Sequence, residues 1–573
     1  MSAANRPGEA RAATIAGLGA LLCGALGCGG ADGDPYVEPE PPVCEGEIEV
    51  PDEQLRALLL GILTDPEASD TDTDTGTGGT TGLSAEALTR IIGLQAAKQG
   101  IVDLRGLECA INLRSLGLAG NEIESLAPLA TLTELRELEL SDNPITDLAP
   151  LAGLQQLEKL VLAGTGVGAL DVAARMVALR HLDASGGKVR DLRPLAGLAT
   201  LESLVLSDNQ ITDLTPLAGL TALFALELDG NAVAELAPLT GLINLEYLDL
   251  DGNKLTSLAP LDPLVRLRDL EASDNLLTGT AGLRGKSQLV ELSLEANQIT
   301  GLDGLDDLVG LTTIDLDSNA LTDLDGLQKV LNLRTISARY NRIRELAAIA
   351  GLVDLRRLDL RDNPTLTGLG PVKSLLALDF IGVGGDQLAV DLAPLTALPL
   401  LRQIELPATA AADYSPLATL PELRSLNLAG AGLGQADLGG LATLVALTTL
   451  SIRDTGINDL QPLAPLVALE SFDASGTAVT TLAPVLAWPL LQSLDLSDTA
   501  ITSMQGLELL EDISAVEVDG TKVKDLSPLL DNIRFRLGDS VNARDAALDQ
   551  GDCADVLALR ERKAVVTTEL DCK

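Results

Sequence analysis

Hydrophobic residues in this chain follow two rhythms, and the switch between them recurs every 22 residues. One clean copy runs Leu201, Leu204, Leu206, Asn209, Ile211, Leu214, Pro216, Leu217, Leu220. With the asparagine as position n, apolar residues at n−5 and n−3 alternate with polar ones at n−6, n−4 and n−2. A period of two predicts a short strand with one buried face. The following L-x-P-L-x-x-L is too short for a long α-helix, so a 3₁₀ or single-turn segment is expected there. Pro128, Pro150, Pro216, Pro238 and Pro260 all sit at n+7, in a first turn that needs no N–H.

The asparagine is the rung of a ladder. Asn121 and Asn143 start it, Thr165 and Gly187 hold the next two rungs, and Asn209, Asn231, Asn253, Asn275, Asn297, Asn319, Asn341 and Asn363 continue without a slip. Further rungs fall at Asp386, Thr409, Ala431, Thr455, Thr477, Thr499 and Thr521, spaced 22 to 24 residues, for nineteen full repeats in all. A degenerate repeat with Gln99, Ile101 and Leu104 precedes them. No repeat can bury its leucines alone, whereas a stack forms one continuous core. The fold class expected is an α/β solenoid. A buried Asn amide both donates and accepts, so stacked copies satisfy backbone groups that no sheet ladder reaches. Thr does so less completely, and the C-terminal half is expected to be less rigid.

The pattern resembles the 22-residue leucine-rich repeat of internalins and of a regulatory subunit of protein phosphatase, over roughly residues 91–542. The resemblance implies a right-handed arc with a parallel sheet on the concave face and short 3₁₀ or irregular segments on the convex face. It also implies protein binding through the concave face, and no enzymatic activity. Ile48-Glu-Val-Pro-Asp52 ahead of Leu55 looks like the N-terminal cap of secreted bacterial members.

The ends fit that layout. Leu55, Leu58, Leu59 and Ile62 at helical spacing predict a cap helix over Pro51–Leu63, and Ser84 is the N-cap of a second helix reaching Ala97. Residues 44–98 thus form the N-terminal cap, with a disordered insertion at 69–82. That insertion opens Asp70-Thr-Asp-Thr-Asp, a start shared with calcium loops, but Thr75 and Thr81 replace the Gly and Glu such a loop needs. The array covers 99–542 and a C-terminal cap 543–573, with a helix from Asp552, its N-cap, to Arg562 and a last strand over Ala564–Leu570.

Cys44 and Cys109 flank the first cap, and Cys553 and Cys572 the last. This distribution suggests two cap disulfides, 44–109 and 553–572, in an oxidising compartment; the alternative is free structural thiols. At the N-terminus, Arg6 and Arg11 precede an apolar run that ends Ala25-Leu26-Gly27-Cys28. This resembles a bacterial lipoprotein signal peptide over residues 1–27, with Cys28 as the lipidated first mature residue and 28–43 as a flexible tether. An ordinary cleaved secretory signal is the alternative. The lipoprotein resemblance implies the bacterial cell envelope, as an outer-membrane lipoprotein or a secreted protein, touching the membrane by its lipid alone.

Charge then singles out one surface. Positions n−6, n−4 and n−2 form three columns on the inner wall. In the repeats of the rungs Asn231 to Asn319 they hold Glu227, Asp229, Asp249, Asp251, Asp269, Glu271, Glu291, Glu295, Asp315 and Asp317, with Tyr247 beside them. The sign then reverses at Arg339, Arg357 and Arg361, near Arg342, Arg344 and Arg356. A net charge of −43 by itself serves solubility. Clustered carboxylates repel, however, and a free surface could avoid that cost. The expected partner is therefore a cationic protein, with the arginines fixing its orientation and Tyr247 the best aromatic anchor; Phe380 and Tyr340 are also expected to be exposed, and Trp488 and Phe472 to lie in the core. The second function class is a structural or adhesive envelope protein that depends on calcium. No other cofactor is expected, and the array is expected to be monomeric.

Other chemistries find little support. His181 is the one histidine, which rules out a histidine-based metal site. Neighbouring carboxylates have a separation suited to glycoside hydrolysis, but an open face is expected to lack the desolvated pocket that raises one pKa. The negative charge disfavours nucleic acid, and no glycine-rich phosphate loop opens a helix.

Overall fold

The computed structural model describes residues 44–64 and 83–572. The signal peptide, Cys28, the tether and the 69–82 insertion lie outside the described residues.

Among the described residues, twenty-two parallel strands form one open sheet, each pairing with the strand of the next repeat in chain order. Each strand is three residues long and covers n−6 to n−4, as in Ser203–Val205 before Asn209. The leucines at n−5 and n−3 point inward and join one core that runs the length of the stack. Behind the sheet, 3₁₀ turns such as Thr215–Gly219 and Ala237–Gly241 begin with a proline in their first turn. The result is the expected leucine-rich repeat arc, with the sheet on its concave face.

The rung side chains bind one repeat to the next. Asn253 donates to the carbonyl of Leu228 in the preceding repeat at 2.9 Å and to Leu250 and Asp251 in its own turn at 3.1 Å. Its Oδ1 accepts from the N–H of Val233 at 2.9 Å. Asn121, Asn143 and every rung from Asn209 to Asn363 bridge in the same way. The threonine rungs do not: Thr165, Thr409, Thr455, Thr477, Thr499 and Thr521 each donate to the n−3 carbonyl of their own turn.

One rung is displaced. Asp386 is exposed and lies in the left-handed region, so its side chain leaves the rung, while Leu388 keeps the buried n+2 position and its carbonyl accepts from Ala410 N–H at 2.8 Å. The repeats on either side of it are 23 residues long, and Gly384 to Gln387 absorb the added residues at positive φ. A buried carboxylate without a partner would be costly there, and turning out to solvent avoids that cost.

Two cap expectations need correction. The second helix is a single turn, Ala85–Leu88, and the sheet begins at Gly93–Gln95 where a helix was expected. The strand register of the first repeat overrides local helix propensity. Ser84 does cap the turn, accepting from Ala87 N–H at 3.1 Å. The C-terminal helix is Cys553–Glu561, but the Asp552 side chain accepts from the N–H of Asp549 rather than capping that helix. Both cystines form as expected, with Cα separations of 5.6 Å for Cys44–Cys109 and 5.2 Å for Cys553–Cys572. Asp52 pins the first cap helix, accepting from Leu55 N–H in the helix and from Val102 N–H in the array.

Asn253→Thr removes both contacts to the neighbouring repeat while keeping the local one. It is expected to cost about 2 kcal/mol in urea unfolding and to speed amide exchange at Val233. Unchanged exchange at Val233 would show that the rung does not couple repeats.

Candidate functional site

The inner wall carries its charges in register. Strands Ala225–Glu227, Tyr247–Asp249 and Asp269–Glu271 pair so that Glu227, Asp249 and Glu271 stand side by side, and Asp269 stands beside Glu291. Parallel strands put such neighbours roughly 4.8 Å apart. Carboxylate oxygens of Asp249, Asp251 and Glu271 all lie within 4.8 Å of one another. The Tyr247 hydroxyl donates to Glu271 Oε1 at 3.3 Å, which places the ring over the acidic row.

These groups are half-buried, and desolvation dominates their titration. Burial, reinforced by Asp229, Asp251 and Glu271, pushes Asp249 up to about 7, although the N–H of Asp251 bonded to it works the other way. Asp315 rises to about 6, mainly through burial. Burial followed by neighbouring carboxylates also raises Glu227, Asp251, Asp269 and Glu271, and it raises the Tyr247 phenol. Carboxylates on this open face are thus raised without the desolvated pocket that the sequence reading took as the requirement. Packed rows of side chains on a concave wall shield one another from water without any closed pocket.

Several expected contact residues are committed elsewhere. The Asp317 side chain is fully buried and receives Arg339 Nε at 2.6 Å, Arg339 N–H at 2.7 Å and the Ser337 hydroxyl at 2.6 Å. Arg361 grips Asp359 with two nitrogens, at 2.9 and 2.6 Å. That pair lies over Gly382, where a Cβ would meet Asp359 Oδ1 at 2.6 Å. The guanidinium of Arg357 lies 3.5 Å above the Phe380 ring, so Phe380, at 3% exposure, is covered rather than offered as an anchor. Tyr340 is exposed, at 58%, and Trp488 and Phe472 pack edge to face in the core at 4.7 Å. Of the acidic set, Glu291 and Glu295 are the most exposed, and Asp229 lies half-buried near Asp249 and Asp251.

A second acidic surface escaped the sequence reading. An open depression of ≈ 600 Å³ is lined by Glu137, Glu139, Glu158, Arg180, His181 and Asp183 among others. These residues stand in or beside the same columns, in repeats before the rung Asn231, so extending the register by four repeats would have found them.

Sequence comparison matches the family described as Leucine Rich repeats (2 copies) at residues 111–153 and 287–329. Two further Leucine Rich Repeat families match at 197–214 and 244–263. Comparison with curated proteins finds no match. Among solved structures, the functional domain of InlJ from Listeria monocytogenes is similar, at 23% identity over 71% of this chain and 81% of that one, with a TM-score of 0.50. A plant peptide hormone receptor, RGFR1 in complex with RGF2, is similar at 17% identity over 81% of this chain and 88% of that one, with a TM-score of 0.53. An internalin (inlF) from Listeria monocytogenes shares 24% identity over 74% of this chain and 96% of that one, at a TM-score of 0.40.

The raised acidity constants give a signed prediction. In the folded protein Asp249 holds its proton up to about pH 7, whereas the unfolded chain releases it near pH 4. The folded state binds more protons in that window, so this group's contribution to stability falls as pH rises through it. Asp249→Asn is expected to raise the melting temperature by about 1–3 °C at about pH 8 and to leave it unchanged at about pH 4. A lower melting temperature at the higher pH would show that the charged carboxylate is held favourably.

Proposed function

We propose that this protein is an extracytoplasmic, membrane-tethered recognition module whose acidic inner wall captures a cationic protein segment. The protein carries leucine-rich repeats, an arrangement that internalins and receptors use as a protein-interaction module. Two disulfides suit an oxidising compartment outside the cytoplasm. No helix among the described residues is long and apolar enough to cross a membrane, and attachment through a lipid on Cys28 belongs to this proposal.

The observation that carries the reading is the row Glu227, Asp249, Glu271 with Asp251 and Asp315, whose carboxylates are half-buried against one another. Like charges in partial desolvation raise the free energy of the unbound surface. Lysine or arginine side chains in the groove would relieve it, giving fast, salt-sensitive association. Tyr247 supplies a rigid aromatic edge inside that row. The arginines contribute less than the sequence suggested, since Arg339 and Arg361 are already neutralised by Asp317 and Asp359. Arg357, stacked on Phe380, is the one left to meet an acidic group on the partner.

A second reading, a structural or adhesive envelope protein stabilised by calcium, draws on the convergence of Asp249, Asp251 and Glu271 oxygens. Calcium accepts several carboxylate oxygens.

Calorimetric titration with a lysine-rich peptide separates the readings. Binding is expected at about pH 8, to weaken at least tenfold on raising salt from about 50 to 200 mM, and to weaken again on acidification toward about pH 5 as Asp249 and Asp315 take up protons. Reversing the charge of Asp249, Asp251, Glu271 and Asp315 together should abolish it. Capture that survives this variant excludes the wall. A saturable rise in melting temperature with calcium, with no peptide binding, favours the second reading.

A further inference from the structure

Position n−7, just ahead of each strand, edges the inner wall: Glu158 and Arg180 hold it and line the depression around His181. Here the N–H of one repeat bonds the carbonyl of the repeat before. Glu158 bonds Arg136 at 2.7 Å, Glu202 bonds Arg180 at 2.8 Å, Arg268 bonds Glu246 at 2.8 Å and Arg402 bonds Asp379 at 2.9 Å. In all four cases the side chains have opposite sign and form an ion pair. Arg334 and Arg356 are joined by the same backbone bond, at 2.9 Å, yet both are arginines. Both are exposed, and neither forms an ion pair among the described residues. Elsewhere in the column an arginine beside another has a neutralised neighbour: Arg114 adjoins Arg136, which holds Glu158, and Arg424 adjoins Arg402, which holds Asp379. Asp379 also flanks Arg356 but is bonded to Arg402. Two unpaired guanidiniums one strand spacing apart, roughly 4.8 Å at the backbone, repel each other.

A third guanidinium adjoins them. Arg357 follows Arg356 at n−6, is exposed, and is held flat 3.5 Å above the Phe380 ring. Its column leads straight back into the acidic wall. Arg357 pairs with Thr335, Thr335 with Thr313, Thr313 with Glu291 and Glu291 with Asp269. The charge thus changes sign along one line of neighbouring strands, across two neutral threonines.

We propose that the captured segment is dipolar: an extended peptide whose basic residues lie on the acidic wall and whose acidic residues, a short neutral spacer further on, are clamped by Arg334, Arg356 and Arg357. This rests on the reading of the acidic wall as a cation site and adds the partner's second charge and its spacing. Guanidinium forks bind carboxylates through charge-assisted hydrogen bonds. A free anion is a poor candidate, because the field of a chain of −43 opposes its approach. An anion tethered to cations already seated on the wall arrives at high effective concentration. Three strand steps from Glu291 to Arg357 span roughly 14 Å, and four from Asp269 roughly 19 Å; an extended peptide covers that in about four to six residues.

Three peptides of equal length test this by calorimetry. One carries three lysines, a spacer of about five Gly and Ser residues and two glutamates. The second has glutamine for both glutamates, and in the third the glutamates directly follow the lysines. Net charge alone makes the first the weaker ligand of so acidic a protein, since it is less cationic than the second. The proposal expects the reverse, with the first binding about fivefold tighter than either control. Arg334→Gln with Arg356→Gln, which leaves the Phe380 stack in place, should erase that advantage while the glutamine peptide still binds; adding Arg357→Gln should invert it. If the glutamine peptide binds and the glutamates add nothing, the clamp is wrong and the acidic wall stands. If no lysine peptide binds, the wall reading fails and the clamp falls with it. An advantage that survives the arginine substitutions, or that ignores the spacer, would also overturn the assignment.

Discussion

A single side-chain geometry holds this molecule in register. Each strand is only three residues long, too short for its ladder alone to fix its neighbour. The chain leaves the strand through a turn whose N–H and C=O groups point along the stack rather than across it. The rung asparagine is the residue with both a donor and an acceptor at the right reach to close that gap. Asn253 links Leu228, Val233, Leu250 and Asp251 in one contact set, and so ties two repeats through backbone atoms common to every residue. Because the partners are backbone, the leucines and the inner-wall residues can vary without disturbing the bridge. Where threonine replaces asparagine the turn is still closed locally, but the link to the preceding repeat is gone. The stack there relies on sheet pairing and leucine packing.

This explains which features could be read from the sequence and which could not. The ladder, the strand positions, the proline-led turns, both cystines and the core placement of Phe472 and Trp488 followed from period and composition, because a repeat imposes the same environment many times. The misses are at places where the period fails. Asp386 was assigned a rung by counting, yet in a repeat flanked by 23-residue spacings its side chain turns out to solvent and leaves the rung unfilled. The helix expected over Ser84–Ala97 gave way to the first strand, since the array claims any segment that can pair with it. On the inner wall, column position was legible but commitment was not. Nothing in the spacing of Asp317 or Arg361 shows that each is already paired, or that Arg357 covers Phe380. Those are relations between adjacent strands, visible only once three-dimensional neighbours are known. The depression around His181 lay in the same columns and was missed because the acidic count began too late.

The inner wall departs from what an unselected soluble surface would hold. A charge that serves solubility gains nothing from being half-buried beside another of its sign, and exposed positions were available. Asp249, raised to about 7, and Asp315, raised to about 6, show that the arrangement costs stability in the unbound protein near neutral pH. Binding sites commonly carry such a cost because the ligand removes it. The pairs Asp317–Arg339 and Asp359–Arg361 interrupt the stretch: there the protein has neutralised its own carboxylates, before the n−4 column turns acidic again at Glu405 and at Asp473, Asp495 and Glu517.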